Sequence, residues 1–324
     1  MPQDIEFFIP FPSRISPEVN RARPRHVAWM QDHGLLPTTE AVAYQKAIDT
    51  AVVVGRFHPQ AVGDELNLAM DQMAFFRYYD DHFDGTLGQD PQKTEHEARR
   101  VIEVLHEPGR ADRSVPMVAA FADMWSRSAE GMPSAWRERA ARDWEHFLSG
   151  FAVEAACRQG RKVLDIPVYL ELRRLTIGVR PVVNLAERIS RYEVPPRMFA
   201  GGNLVQMRDL AEDVVTLVND VQSVEKEAGK GDFLFNSVLL LEHSHHLSRP
   251  EAISAVRDMV NDRMRTFLHL EEGLPRLCDG LALTAQEQEA VAGYVTDGLR
   301  TVIRGNYDWG NSTRRYRSPS APAL

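Results

Sequence analysis

Three aspartates close the stretch Phe75–Asp84, FFRYYDDHFD, at a spacing that suits metal chemistry. On a helix, Asp80 and Asp84 stand one turn apart, about 6 Å along the axis and on one face. Two carboxylates so placed can hold a hard divalent cation such as Mg²⁺ between them. Without a cation the position is costly: a helix C-terminus carries partial negative charge, and each acid there costs about 0.3–1 kcal/mol. A solvated acidic turn would carry the same letters, so the aspartates alone leave both readings open.

A second column of oxygen ligands follows at Asn219, Ser223 and Glu227, spaced i, i+4 and i+8 on one helical face. An amide oxygen, a hydroxyl and a carboxylate suit the same hard cation. Lys226, one residue round, is placed to contact phosphate attached to that metal. An exposed polar turn with a Glu–Lys pair is the plainer reading of this segment taken alone. Two such clusters, each at the end of an apolar helical stretch, could face one another across a cavity mouth, hold several Mg²⁺ ions and through them bind a diphosphate.

The elements that must position these groups read as helices almost throughout, with apolar residues at three- and four-residue spacing from about His26 onward. Residues 1–24 are punctuated by proline and are expected to be extended. Pro37-Thr38-Thr39-Glu40 opens one helix, and Asp64 is expected to cap the next, whose apolar face Leu66, Met70, Met73 and Phe76 runs into the aspartates. Further helices are expected at about 92–107, 114–129 and 133–157, then from Ile166 to a break at Gly178–Pro181. A long helix over about 203–227 follows Pro195-Pro196, with others near 234–246, 249–272 and 285–308 before a polar tail. No run alternates as a strand should and no repeat is evident, so the expectation is an all-α chain of a dozen or so helices in one domain, residues 1–324.

Composition narrows the function classes. The 324 residues are 44% hydrophobic, enough for a substantial core. No eighteen-residue apolar run exists to span a membrane, and the acidic, proline-broken start does not suit a signal peptide. Two cysteines, Cys157 and Cys278, argue against a disulfide scaffold and for a reducing cytoplasm. A net charge of −8 without a basic stripe speaks against nucleic acid as a partner. It also means that a phosphate-bearing substrate binds only through metal ions or local cations.

DDHFD followed by NDVQSVEKE resembles the paired metal-binding motifs of class I terpene synthases, and the chain is similar nearly end to end to the bacterial sesquiterpene cyclases among them. The MPQDIEFFIPFP, NLAERISRYEVP and LRTVIRGNYDW segments carry the likeness as well. The first motif is only moderately specific, since chain-elongating prenyltransferases also have aspartate-rich pentads; the second is highly specific. The resemblance implies a single-domain helical bundle around a deep apolar cavity, with 309–324 as a lid or tail. It implies Asp80 and Asp84 as Mg²⁺ ligands with Asp81 in support, and Asn219, Ser223 and Glu227 as the second ligand set. Three ions are implied, with Mn²⁺ as a substitute.

For the diphosphate it implies Lys226, the sensor Arg173 with Arg174 as its rival, and Arg315-Tyr316 closing over the site. It places a backbone carbonyl of the Ile177–Gly178 break near the cation, where Pro181 frees carbonyl oxygens, and Phe76 and Trp309 on the cavity wall. Many relatives have an aspartate three residues after the sensor arginine; this chain has Thr176. Arg77 is out of pattern, expected either to turn outward to an acid or to narrow the cavity. Phe75, Tyr78, Tyr79, Phe147 and Phe151 are expected in ordinary core packing.

The expected activity is Mg²⁺-dependent ionisation and cyclisation of an acyclic isoprenyl diphosphate, farnesyl diphosphate first, to a cyclic hydrocarbon or alcohol. Geranyl and geranylgeranyl diphosphates, a prenyl-coupling reaction, and a non-catalytic helical metal-binding protein are the rival readings. Oligomeric state is open, a homodimer included. Glu242–His246 reads as a solvated helix end rather than a metal site, and Asn311-Ser312-Thr313 is a formal glycosylation sequon of no consequence in a cytoplasmic protein.

Overall fold

The computed structural model describes residues 5–230, 233–313 and 315–316. Among these it contains α-helices and short 3₁₀ and π segments, with no β-strand. The first half runs α1 (Val19–Asp32), α2 (Thr39–Ile48), α3 (Thr50–Phe57), α4 (Gly63–Phe83), α5 (Pro91–His106), α6 (Pro116–Ala129) and α7 (Ser134–Gln159). The second half runs α8 (Ile166–Thr176), α9 (Val179–Ser190), α10 (Asn203–Lys230), α11 (Ser237–His245), α12 (Arg249–Gly280), α13 (Ala285–Gly293) and α14 (Arg300–Ser312).

Local signals set many of these boundaries. The Thr38 hydroxyl accepts from the Ala41 amide, the Asp90 and Asp165 carboxylates cap α5 and α8, and Ser248 with Glu251 forms a capping box on α12. Burial of one face decides elsewhere. Residues 19–24 are helical, not extended: α1 carries Pro24 inside it because Ala22, His26, Trp29 and Met30 bury together and outweigh the lost backbone bond. Likewise α12 runs past Pro275 to Gly280, with Leu274 and Cys278 buried. Asp64 is not the cap of α4; Val62 holds that position, and Asp64 lies in the first turn, where its charge suits the positive helix end. The last helical stretch reaches Ser312 through a π segment at Tyr294–Leu299, so residues 309–312 belong to α14 rather than to a tail. Of that segment, residue 314 and residues 317–324 lie outside the described residues, as do residues 1–4 and 231–232.

Three elements frame the interior. Helix α4 packs against α1, α3 and α6, while α10 packs against α12, α14 and α8. Their C-terminal ends, carrying the two clusters of oxygen ligands, open on the same side. The broken pair α8–α9 forms a third wall, in contact with both α7 and α10.

Candidate active site

A cavity of about 340 Å³ lies between α4, α7, α8–α9, α10 and α14. The metal and diphosphate residues expected from the sequence line it except Ser223 and the supporting Asp81, whose side chains are buried. Asp80, Asp84, Asn219, Lys226 and Glu227 gather at the mouth with Arg173, Arg315 and Tyr316. Below them the wall is apolar: Phe76, Phe147, Phe151, Ile177, Val215 and Trp309.

Two consecutive residues join the acidic clusters. Arg315 donates from Nη2 to Asp80 Oδ2 at 3.0 Å and to Asp81 Oδ1 at 3.4 Å, and from Nη1 to the Tyr44 hydroxyl at 3.2 Å. The Tyr316 hydroxyl accepts from the Asn219 side-chain amide at 2.5 Å. The end of α4 and the end of α10 are thus tied by one dipeptide.

Arg77 does not turn outward. It donates to Asp80 Oδ2, one turn on, and its side chain also lines the cavity. Burial would raise the Asp80 carboxyl, but the charges of Arg77, Arg315 and Lys226 outweigh it and hold the group down at about 2. At the other cluster burial wins, with help from the neighbouring Asp220, and Glu227 is pushed up to about 7. Burial likewise pushes the Tyr316 phenol up to about 12, so it stays a neutral donor.

The sequence does not point to the groups that hold α10 in place. Tyr169 donates to Asp220 Oδ2 at 2.8 Å, and Asp220 also accepts from the Ser237 amide. Asn236 caps α11 through its side-chain oxygen, while its amide nitrogen donates to Glu227 Oε2 at 2.6 Å. An Asn before a helix start is a legible cap signal, but its second partner is not legible.

Among the described residues no three His, Cys, Asp or Glu side chains group closely enough to hold a metal ion by themselves. The donors gathered at the mouth are nonetheless hard oxygens, the kind a divalent cation takes. Asp81 Oδ2 is buried without a hydrogen-bond partner, and an unsatisfied buried oxygen is unfavourable unless something coordinates it.

The two arginines at 173 and 174 separate cleanly. Arg173 lines the cavity and is countered by Glu154 and Thr176. Arg174 turns away to Asp213 on α10 and borders a smaller pocket of about 220 Å³ on the other side of the break. At the break itself Gly178 has φ +76°, a left-handed conformation. A Cβ there would lie 3.0 Å from Phe76 Cε1 and 3.4 Å from Phe147 Cε2, so glycine is needed for space as well as for backbone. Pro181 has no N–H to give the Ile177 carbonyl four residues back, which leaves that carbonyl without its helical partner.

Phe76 stacks on Trp144 with centroids 4.8 Å apart and meets Phe147 edge-on at 4.7 Å. Trp309 meets Tyr316 at 5.9 Å. Phe147 and Phe151, expected as plain core, line the cavity as well. Helical periodicity puts a residue on the inner face but cannot say whether that face meets protein or space. Phe75 and Tyr79 are fully buried in packing, as expected. The Glu242–His246 segment is a helix end whose histidines are exposed, with the His243 ring on Phe233. Among the described residues no helix is long and apolar enough to cross a membrane.

Known proteins share this sequence and architecture. Residues 71–266 match the family described as terpene synthase family 2, C-terminal metal binding. The whole chain is 42% identical to pentalenene synthase of Streptomyces avermitilis, covering 96% of that protein. It is 39% identical over 99% of its length to a (−)-β-caryophyllene synthase of Saccharothrix espanaensis, covering 91% of it. Linalool/nerolidol synthase from Streptomyces clavuligerus, solved with 2-fluorogeranyl diphosphate, superposes with a TM-score of 0.84 at 33% identity, over 96% of this chain and all of that one. Germacradien-4-ol synthase from Streptomyces citricolor gives 0.85 at 30% identity, over 96% and 99% of the two chains. These likenesses set aside the reading as a non-catalytic metal-binding protein. The chain is an enzyme that belongs to the class I terpene synthases.

Proposed function

We propose that this enzyme ionises and cyclises farnesyl diphosphate, releasing diphosphate and a cyclic sesquiterpene hydrocarbon or alcohol. Asp80, Asp84, Asn219, Ser223 and Glu227 would hold three Mg²⁺ ions, with Asp81 in support. When bound, these ions supply Lewis-acid neutralisation of the leaving group's oxygens. Lys226, Arg173, Arg315 and Tyr316 bind the diphosphate directly, and their donors strengthen as negative charge collects on it while the carbon–oxygen bond breaks. The observation that carries this reading is the bridge from Asp80 to Asn219 through Arg315-Tyr316. It places a guanidinium and a phenol between the two acidic helix ends, where a polyanion held by cations belongs.

The remaining allylic cation is confined by the apolar wall. The faces of Phe76, Phe147, Phe151 and Trp309 attract a cation by about 0.5–2 kcal/mol each and have no lone pair to trap it. The carbonyl of Ile177 offers a fixed dipole at the same wall. The reaction ends by proton loss or water capture. The whole chain acts as one domain, and Arg315-Tyr316 close its mouth.

The Saccharothrix relative is named for cyclising (2E,6E)-farnesyl diphosphate, which supports the fifteen-carbon substrate. The likeness to a linalool/nerolidol synthase solved with 2-fluorogeranyl diphosphate keeps geranyl diphosphate as a second reading. Incubation with geranyl, farnesyl and geranylgeranyl diphosphates plus Mg²⁺, followed by gas chromatography and mass spectrometry, decides. A cyclic fifteen-carbon product formed fastest from farnesyl diphosphate is expected. No terpene from any of the three sinks the proposal.

A further inference from the structure

The side chain one turn on from Arg173 is Thr176, and a hydroxyl cannot balance a guanidinium. The missing charge comes from another helix. Arg173 Nη1 donates to Thr176 Oγ1 at 3.1 Å and lies 3.4 Å from Glu154 Oε1, and the Thr176 hydroxyl donates to that same Glu154 oxygen. Glu154 is on α7, twenty-two residues before Thr176, and is 4% exposed; Thr176 is 7% exposed. A buried carboxylate between two donors is a strong, geometrically demanding contact.

The second oxygen of Glu154 reaches the cavity mouth. Arg158 donates to Glu154 Oε2 at 3.1 Å and to the Gly88 carbonyl at 3.3 Å, and its guanidinium lies 4.3 Å over the Phe235 ring. Gly88 packs against the end of the aspartate helix so tightly that a Cβ would fall 1.9 Å from the Phe83 carbonyl. Phe235 precedes Asn236, the residue that donates to Glu227. One carboxylate therefore touches, directly or through Arg158, the cavity arginine, the residue before the helix break, and the segments beside both ligand clusters.

We propose that Glu154 is the positioning residue of this site: with Thr176 it supplies the anionic link that orients Arg173 and joins it to the Ile177–Gly178 break. The proposal rests on the reading of Arg173 as a diphosphate contact. The neutral variant Glu154→Gln keeps shape and still accepts from Thr176, but cannot orient the guanidinium by charge. With farnesyl diphosphate and Mg²⁺, kcat falls about 10- to 100-fold while KM moves by less than about threefold, because the misplaced group matters most as the bond breaks. The product ratio shifts with it. Adding Thr176→Asp to Glu154→Gln restores a carboxylate next to Arg173 and recovers kcat to within about fivefold of wild type.

Unchanged kcat in Glu154→Gln overturns the proposal. So does a double variant no better than the single, or a loss in which kcat, KM and melting temperature all worsen together, as a purely structural group would give. Should Glu154→Gln fail to fold, Thr176→Val removes the hydroxyl alone, and unchanged kcat in it is equally decisive. A wild-type chain that releases no terpene overturns the underlying reading instead, which separates the two failures.

Discussion

Replacing Gly178 with alanine should damage stability and product selection together, because the helix break and the cavity wall meet at that atom. The φ of +76° costs a non-glycine residue about 1–2 kcal/mol, of which about 0.4–1 kcal/mol is returned by the stiffer unfolded chain. The new methyl would sit 3.0 Å from Phe76 and 3.4 Å from Phe147. Phe76 cannot move away freely, being stacked on Trp144 at 4.8 Å, so overpacking adds about 1–3 kcal/mol. The sum is about 1–5 kcal/mol, centred near 3. At about 2.1 cal/mol/K per residue, a chain of 324 residues unfolds with an entropy near 0.7 kcal/mol/K, which makes the expected fall in Tm on the order of 4 °C. Calorimetry measures the stability term, and product analysis by mass spectrometry measures displacement of the Phe76 ring. Gly109→Ala, at a loop position with nothing within 4 Å, is the control and should change neither. A Gly178→Ala enzyme with wild-type Tm and an unchanged product ratio would refute the argument.

Other predictions follow from the same contacts. Tyr169→Phe leaves a buried carboxylate oxygen of Asp220 without its phenol donor; it should cost about 1–3 kcal/mol, read by denaturant unfolding, and lower metal-dependent turnover by loosening α10. Arg77→Gln removes a cation that competes for Asp80, so the Mg²⁺ concentration for half-maximal activity should fall by about threefold or more; an increase would show that Arg77 assists the metal site instead. His58 is 2% exposed, and burial holds its imidazole down at about 3. The unfolded chain, with a value near 6.5, binds the proton first, so this stability is present above that value and is lost as pH falls from 6.5 towards 3. Unfolding free energies at pH 7 and 5 should differ by about 2 kcal/mol more in the wild type than in His58→Leu, and equal slopes would contradict the assignment.

Much of the site was legible because helical spacing converts sequence distance into space. Asp80 with Asp84, and Asn219 with Glu227, are near neighbours in sequence and on their helices, so their faces could be read directly. The Gly178–Pro181 break was equally local. Glu154 and Asn236 were not legible in their roles, since their partners lie on other helices and no spacing rule connects them. Proline misled at the start of the chain, where residues 1–24 were expected to be extended. Helix α1 continues through Pro24, as α12 continues past its expected end near 272 and through Pro275, because burial of a whole face outweighs one missing backbone bond. Phe147 and Phe151 show the remaining limit: an inward aromatic looks the same in sequence whether it meets a neighbour or an empty cavity.

The central claim is that the ends of α4 and α10 act as one clamp on a metal-bound diphosphate. A double-mutant cycle on Asp80→Asn and Asn219→Ala, read as kcat/KM for farnesyl diphosphate with Mg²⁺, tests it most directly. Each single variant should lose at least about 100-fold, and the double should lose no more than about tenfold beyond the worse single, as groups acting in one unit do. Losses that multiply across the pair, or a single variant with wild-type activity, would mean that the two clusters work apart.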